Sequence, residues 1–176
     1  MDIDKLDRNN FRHCLEAMAR PGKIFHVLSY DHSPMMAMAS MLLYSEVSFF
    51  QDASGDWEMI KAITGSREEQ VAEADYLFFD RPGETILDEV KVGDQQNPEF
   101  SATLICGCTD FISGTQVILS GPGIEDSHTM TLPVPDGFLL RLAQKNKHFP
   151  LGVDLFFVAD DKSVCAIPRT TMVKFS

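Results

Sequence analysis

Short apolar runs recur along this chain, each cut off by glycine, proline or a polar cluster, and in the first half they alternate with segments of helical spacing. The runs at 46–50, 74–79, 101–108, 116–119 and 153–158 are rich in β-branched and aromatic residues, which suits a pleated, buried surface, so they read as strands. In the second half strands dominate, and the run at 164–167 follows the polar turn 160–163 closely enough to make a hairpin with the strand before it. This order predicts an α/β protein, a three-layer α/β/α arrangement with a mixed central sheet. With 176 residues, one domain over 1–176 can bury a core of its own.

Helix signals fill the intervals. Phe11, Cys14, Leu15 and Met18 recur at helical spacing, with Asp7 or Asn9 available as a cap. Pro21 disfavours helical angles in the residue before it, so this helix ends at Arg20, and the apolar run 24–28 reads as a strand. Ser33 caps a second helix over 33–43, with Pro34 in its first position and a methionine-rich packing face. A third runs over 57–63 and stops at Gly65. Ser66-Arg-Glu-Glu69 has the spacing of a capping box and predicts a short helix to Glu73. Further helices are expected over 84–90 and from an Asp136 cap through Phe138, Leu139 and Leu142, with Lys145, Lys147 and His148 at the end where positive charge is favoured. The run 127–132 offers a further strand, and 168–175 is an extended tail.

The formal net charge is −11. Such a surface repels nucleic acid and anionic membranes, so neither is expected as a partner. The start, Met-Asp-Ile-Asp-Lys-Leu-Asp, carries no basic region followed by an apolar run, so no secretory signal is expected. The most apolar stretch, 34–43, is too short to cross a bilayer. Four scattered cysteines, Cys14, Cys106, Cys108 and Cys165, suggest a cytoplasmic protein with reduced, mostly buried thiols. Alternation places Cys106 and Cys108 on one face of a strand, where core packing is the expected role. The histidines (His13, His26, His32, His128, His148) form no i, i+3 or i, i+4 pair, so no metal site is expected, and His26 reads as a packing residue.

The candidate functional positions cluster at rigid corners. The strand 116–119 ends in Ser120-Gly121-Pro122-Gly123, a corner that serves either as a tight turn or as a place where bare backbone N–H groups approach a ligand or neighbouring chain. Arg20 precedes a Pro-Gly corner. Arg169 follows Pro168 and is flanked by Thr170 and Thr171, a setting suited to bidentate binding of phosphate or carboxylate. The structural alternative is an ion pair with Asp154 or Asp75. Asp154 sits between Val153 and Leu155, so it must be paired, hydrogen-bonded or protonated.

In order and rough spacing, Phe11-Arg12, Ala17-Met-Ala-Arg-Pro-Gly22, Ala72-Glu-Ala-Asp75, Pro98-Glu99 with Ser101-Ala-Thr103, Leu119-Ser-Gly-Pro-Gly-Ile124, Phe149-Pro-Leu-Gly-Val-Asp154 and Ile167-Pro-Arg-Thr-Thr171 resemble the PhnH family. These are the H proteins of the bacterial carbon–phosphorus lyase system, and the resemblance extends over 11–173. It implies a cytoplasmic, non-autonomous subunit of a core complex with G, I and J proteins, a homodimer when isolated. That machinery transfers an alkylphosphonate such as methylphosphonate to the ribose of ATP with loss of adenine; the J protein, a radical enzyme, later cleaves the carbon–phosphorus bond. The implied fold resembles pyridoxal-phosphate-dependent transferases without the cofactor, and the eight lysines accord with that, none having the surroundings of a Schiff-base lysine. No cofactor is expected. The resemblance assigns no catalytic residue, so Arg20, Gly121, Pro122, Gly123, Asp154, Pro168, Arg169 and Thr170 stand as candidate ligand- or partner-binding positions.

Overall fold

The structure is a computed structural model that describes residues 3–29 and 33–175. Its helices are α1 (Ile3–Ala19), α2 (Pro34–Leu42), α3 (Trp57–Thr64), α4 (Ile86–Glu89) and α5 (Asp136–Lys145). Its strands are β1 (Phe25–His26), β2 (Ser48–Asp52), β3 (Arg67–Glu68), β4 (Tyr76–Phe79), β5 (Thr103–Cys108), β6 (Thr115–Ser120), β7 (His128–Leu132), β8 (Asp154–Ala159), β9 (Ser163–Ile167) and β10 (Met172–Phe175).

The strands divide into a seven-stranded sheet ordered β1-β9-β8-β5-β4-β2-β3 and a three-stranded sheet ordered β10-β6-β7. In the large sheet β3, β2, β4, β5 and β8 run parallel, whereas β9 and β1 are antiparallel additions at one end. The expected mixed central sheet is present, including the β8–β9 hairpin. The strand 116–119 is not part of it. As β6 it is the middle of the small antiparallel sheet, and the extended tail joins it as β10. A layer expected to be helical is therefore half sheet.

Alternation along the central strands explains the layering. Leu77, Phe79, Leu104, Cys106, Leu155 and Phe157 face Val117 and Leu119 of the small sheet together with Phe138, Leu139 and Leu142 of α5. Phe78, Ile105, Phe156 and Val158 face α1, α2 and α3, where Phe49, Trp57 and Phe78 pack ring against ring. Cys106 is buried and Cys108 packs partly against the same cluster, as the spacing predicts.

Three helix expectations change. The segment after Ser66 is not a helix. Arg67 and Glu68 pair in parallel with Ser48 and Phe49, and the Glu69 N–H donates to the Phe49 carbonyl at 2.8 Å, so sheet pairing overrides the capping-box spacing. α1 begins at Ile3, which places Asp7 and Asn9 inside it and not at its cap. Its buried side is Leu6, Asn10, Cys14 and Ala17, while Phe11 and Leu15 remain 47% and 54% exposed. Asn10 is legible only in the structure: its amide donates to the Leu28 carbonyl at 2.7 Å and accepts from the Leu28 N–H at 2.8 Å. Asp136 is the first residue of α5, not its cap, and accepts from the Thr115 hydroxyl at 2.7 Å. Ser33 caps α2 through the Met36 N–H, and Gly65 ends α3 in the left-handed region. His26 is exposed on the edge strand, against the packing role expected of it; its Nε2 lies 3.3 Å from the Ser163 hydroxyl.

Candidate functional site

The residues singled out by sequence lie along one seam where α1, the β6 corner and the turn after β9 meet. Arg169 grips Asp154. Its Nε lies 3.2 and 3.1 Å from the two carboxylate oxygens, its Nη2 also donates to Asp154, and its backbone N–H donates to Oδ1 at 2.8 Å. Its Nη1 donates to the Pro98 carbonyl at 2.9 Å and the Pro150 carbonyl at 3.4 Å. The two side chains are 16% and 14% exposed, so the pair is nearly dry. A guanidinium with its fork closed on a carboxylate and its remaining edge on carbonyls has little donor capacity left for phosphate. The other carboxylate considered, Asp75, pairs with Lys91 and accepts from the Ser48 N–H and hydroxyl at 2.8 and 2.9 Å. Burial pushes the Asp75 carboxyl up, but the bonds from Lys91 and Ser48 outweigh it and hold the group below the usual carboxylate range.

The Gly-Pro-Gly corner is built for close approach on two sides. A Cβ on Gly121 would stand 2.8 Å from the Thr170 carbonyl oxygen, and one on Gly123 would stand 2.2 Å from that of Ala19. Both have positive φ, 131° and 83°. Through these contacts the corner joins the turn carrying Pro168, Arg169 and Thr170 to the end of α1. Arg20 projects beside Gly123 into a cleft of about 360 Å³ that also includes Lys23 and His128. It pairs with Glu16 at 3.1 Å and is 53% exposed.

A second group went unnoticed in the sequence. The parallel strands β2, β4, β5 and β8 end at one edge of the sheet, the place where open α/β folds bind ligands. There Ser54, Asp80, Arg81, Thr109 and Asp160 line a crevice of about 390 Å³ next to the start of α2. Asp80 accepts from the Ser54 N–H and hydroxyl at 2.9 and 2.6 Å, and Arg81 reaches the Thr109 hydroxyl at 3.4 Å. The available signal was positional, a polar residue within four positions after each of these apolar runs. Arg169 and Asp154 lie at the opposite, amino end of these strands.

The thiols are poor nucleophiles. Burial pushes Cys14 and Cys165 up to about 12, and burial together with Asp160, Asp110 and Asp161 does the same to Cys108, so all three are protonated at neutral pH. Among the described residues no group of three His, Cys, Asp or Glu side chains is placed to hold a metal ion, and no helix is long and apolar enough to cross a membrane. His32 lies outside the described residues.

Comparison with known proteins gives a family. A family model described as "Bacterial phosphonate metabolism protein (PhnH)" matches residues 5–174. The putative C-P lyase subunit protein HtxG of Stutzerimonas stutzeri is 27% identical over 169 residues, covering 93% of this chain and 83% of its own length. The alpha-D-ribose 1-methylphosphonate 5-triphosphate synthase subunit PhnH of Rhizobium meliloti (strain 1021) is 32% identical over 104 residues, 56% of this chain and 50% of that protein.

Proposed function

The chain belongs to the PhnH family of bacterial phosphonate metabolism proteins, and from that membership we propose that it is the H-type subunit of a carbon–phosphorus lyase assembly. In this reading it is a non-autonomous part of a cytoplasmic transferase complex with G, I and J proteins, and a homodimer when alone. The reaction served joins a phosphonate oxygen to the ribose C1′ of ATP and breaks the bond from that carbon to adenine. The kinship of the fold with pyridoxal-phosphate-dependent transferases belongs to the same proposal.

The observation that carries it is the family match from residue 5 to residue 174, nearly the whole chain. The relatives' names, a C-P lyase subunit and a synthase subunit, support the assembly role. The site chemistry points the same way. Arg169 and Asp154 satisfy one another, and Gly121 and Gly123 are packed against carbonyls of neighbouring segments. These positions shape a surface, and Arg20 and Thr170 lie at its open margins. We assign Arg20 and Thr170 to partner contact, and Pro168, Arg169, Asp154 and the Gly121–Gly123 corner to holding that contact surface in place.

Co-expression with the cognate G, I and J proteins, followed by affinity capture and mass measurement, tests the reading. A stoichiometric complex is expected, weakened by Arg20→Glu without loss of folded protein. A chain that remains alone, or that turns over ATP and methylphosphonate by itself, overturns it.

A further inference from the structure

A cleft between the end of α5 and strand β10 differs in charge from the acidic average of this molecule. It has a volume of about 450 Å³, and its lining includes Lys147, Lys174, Phe149, Thr171, Met172 and Leu142. Among the described residues no aspartate or glutamate lines it, although the chain has 26 acidic residues against 15 Lys and Arg. Among the described residues neither lysine is paired with a carboxylate. Two uncompensated cations in one concave site make a local positive potential within a field of the opposite sign.

Two more observations point to a ligand. Thr171 is only 6% exposed, and its hydroxyl has no hydrogen-bond partner among the described residues. A buried hydroxyl without a partner is a cost that a bound acceptor would remove. Beside it, Phe149 and Met172 are 64% and 57% exposed, leaving an apolar surface next to the cations. The volume falls in the range of small-molecule sites. Two other clefts are rival places for a ligand, but Arg81 stands among Asp80 and Asp160 in the carboxyl-end crevice, and in the cleft at Gly123 Arg20 pairs with Glu16 and Glu125 shares the lining, so an anion is disfavoured in both.

We propose that the α5–β10 cleft is a binding site for a phosphorylated small molecule, with its phosphates on Lys147 and Lys174, an oxygen accepting from the Thr171 hydroxyl, and its apolar or aromatic body against Phe149. Arg169 supports the wall and is not a ligand contact, because its guanidinium is held by Asp154, Pro98 and Pro150. The inference rests on this cleft and not on the subunit reading.

Titration calorimetry on the full chain tests it, with inorganic tripolyphosphate, ATP and adenosine as probes, without divalent cations, at 20 and 200 mM salt. Both anions are expected to bind, ATP the tighter, and adenosine not to bind. Affinity for both should fall about tenfold or more between the two salt concentrations, as expected for several phosphate contacts. Lys147→Ala with Lys174→Ala should weaken both anions at least tenfold. Phe149→Leu should erase the advantage of ATP over tripolyphosphate. Thr171→Val supplies the control for a merely structural hydroxyl: the unliganded protein should become more stable while anion affinity falls. Absence of anion binding, binding insensitive to the two lysines, or ATP no tighter than tripolyphosphate would each overturn the proposal. Assembly is read separately by capture with partner proteins, so a lone chain that still binds ATP here sinks the subunit reading only, and a complex that forms without anion binding sinks this one only.

Discussion

Arg169 shows how a side chain with the features of a ligand clamp can be consumed by the fold. Proline before it, threonines after it and a guanidinium fork suit a phosphate, yet the fork closes on Asp154 in a nearly dry setting. Breaking such a pair leaves a buried, uncompensated charge. Arg169→Ala is therefore expected to cost about 3–5 kcal/mol in urea denaturation, with Arg169→Lys recovering only part because an ammonium cannot reproduce the two-point grip. A neutral Arg169→Ala would mean that the carboxylate is solvated after all. Asp75 makes a different prediction, in pH. Its folded-state carboxyl is held below the ordinary range by Lys91 and Ser48, so its contribution is present above the unfolded value of about 4 and is lost as pH falls through the lower folded value. Asp75→Asn should be less stable than wild type at pH 7, and the gap should narrow as pH drops below about 4. A gap constant from pH 7 to pH 2 would show that the ionised form is not what stabilises the site.

Elements were legible where a local signal and the tertiary context agreed. The helix read over 57–63 and stopped at Gly65 forms as Trp57–Thr64 with a left-handed glycine at its end, and the turn residue Asp56 proves to be its cap. Ser66–Glu69 has an equally good local signal, but the segment lies beside β2, and pairing with Ser48 and Phe49 satisfies its backbone instead. The inward side of α1 escaped apolar counting because one of its deepest residues is Asn10, whose amide completes the backbone bonding of Leu28. The Gly-Pro-Gly corner was visible as a corner; what it touches was not, since Ala19 and Thr170 are remote in sequence. The same remoteness hid the crevice at the strand ends, which gathers residues from four loops. Gly123 gives the sharpest test of this element. An alanine there meets the Ala19 carbonyl at 2.2 Å with φ at 83°, and no rotamer change relieves a clash with backbone. Gly123→Ala should cost about 1–3 kcal/mol from the backbone angle and more from the contact, read as a lower urea midpoint. An alanine tolerated without loss would show that the α1 end and the corner can separate freely.

For the whole molecule, the sign of the response to salt follows from which electrostatic contribution dominates. The charge of −11 makes the folded chain repel itself, and compaction brings those charges nearer to one another than in the unfolded chain. The ion pairs that could oppose this are mostly exposed: Arg20–Glu16 at 53% and 40%, Lys61–Glu58 at 30% and 85%, Arg141–Asp88 at 39% and 57%. Pairs of that kind contribute about 0–1 kcal/mol each and are screened by the same ions. The nearly dry Arg169–Asp154 pair is screened far less. Salt therefore removes more repulsion than attraction, and raising NaCl from 20 to 200 mM should stabilise the protein. If the gain is about 1 kcal/mol, the melting temperature rises by roughly 2–4 °C for a chain of this length. Affinity for an anion in the α5–β10 cleft should move the opposite way, since there the local cations attract and screening weakens them. Opposite salt responses of stability and binding in one protein are the signature of a basic site set into an acidic surface. A melting temperature that falls with salt would place the balance in the ion pairs instead and remove the premise that the cleft stands apart from a repulsive field.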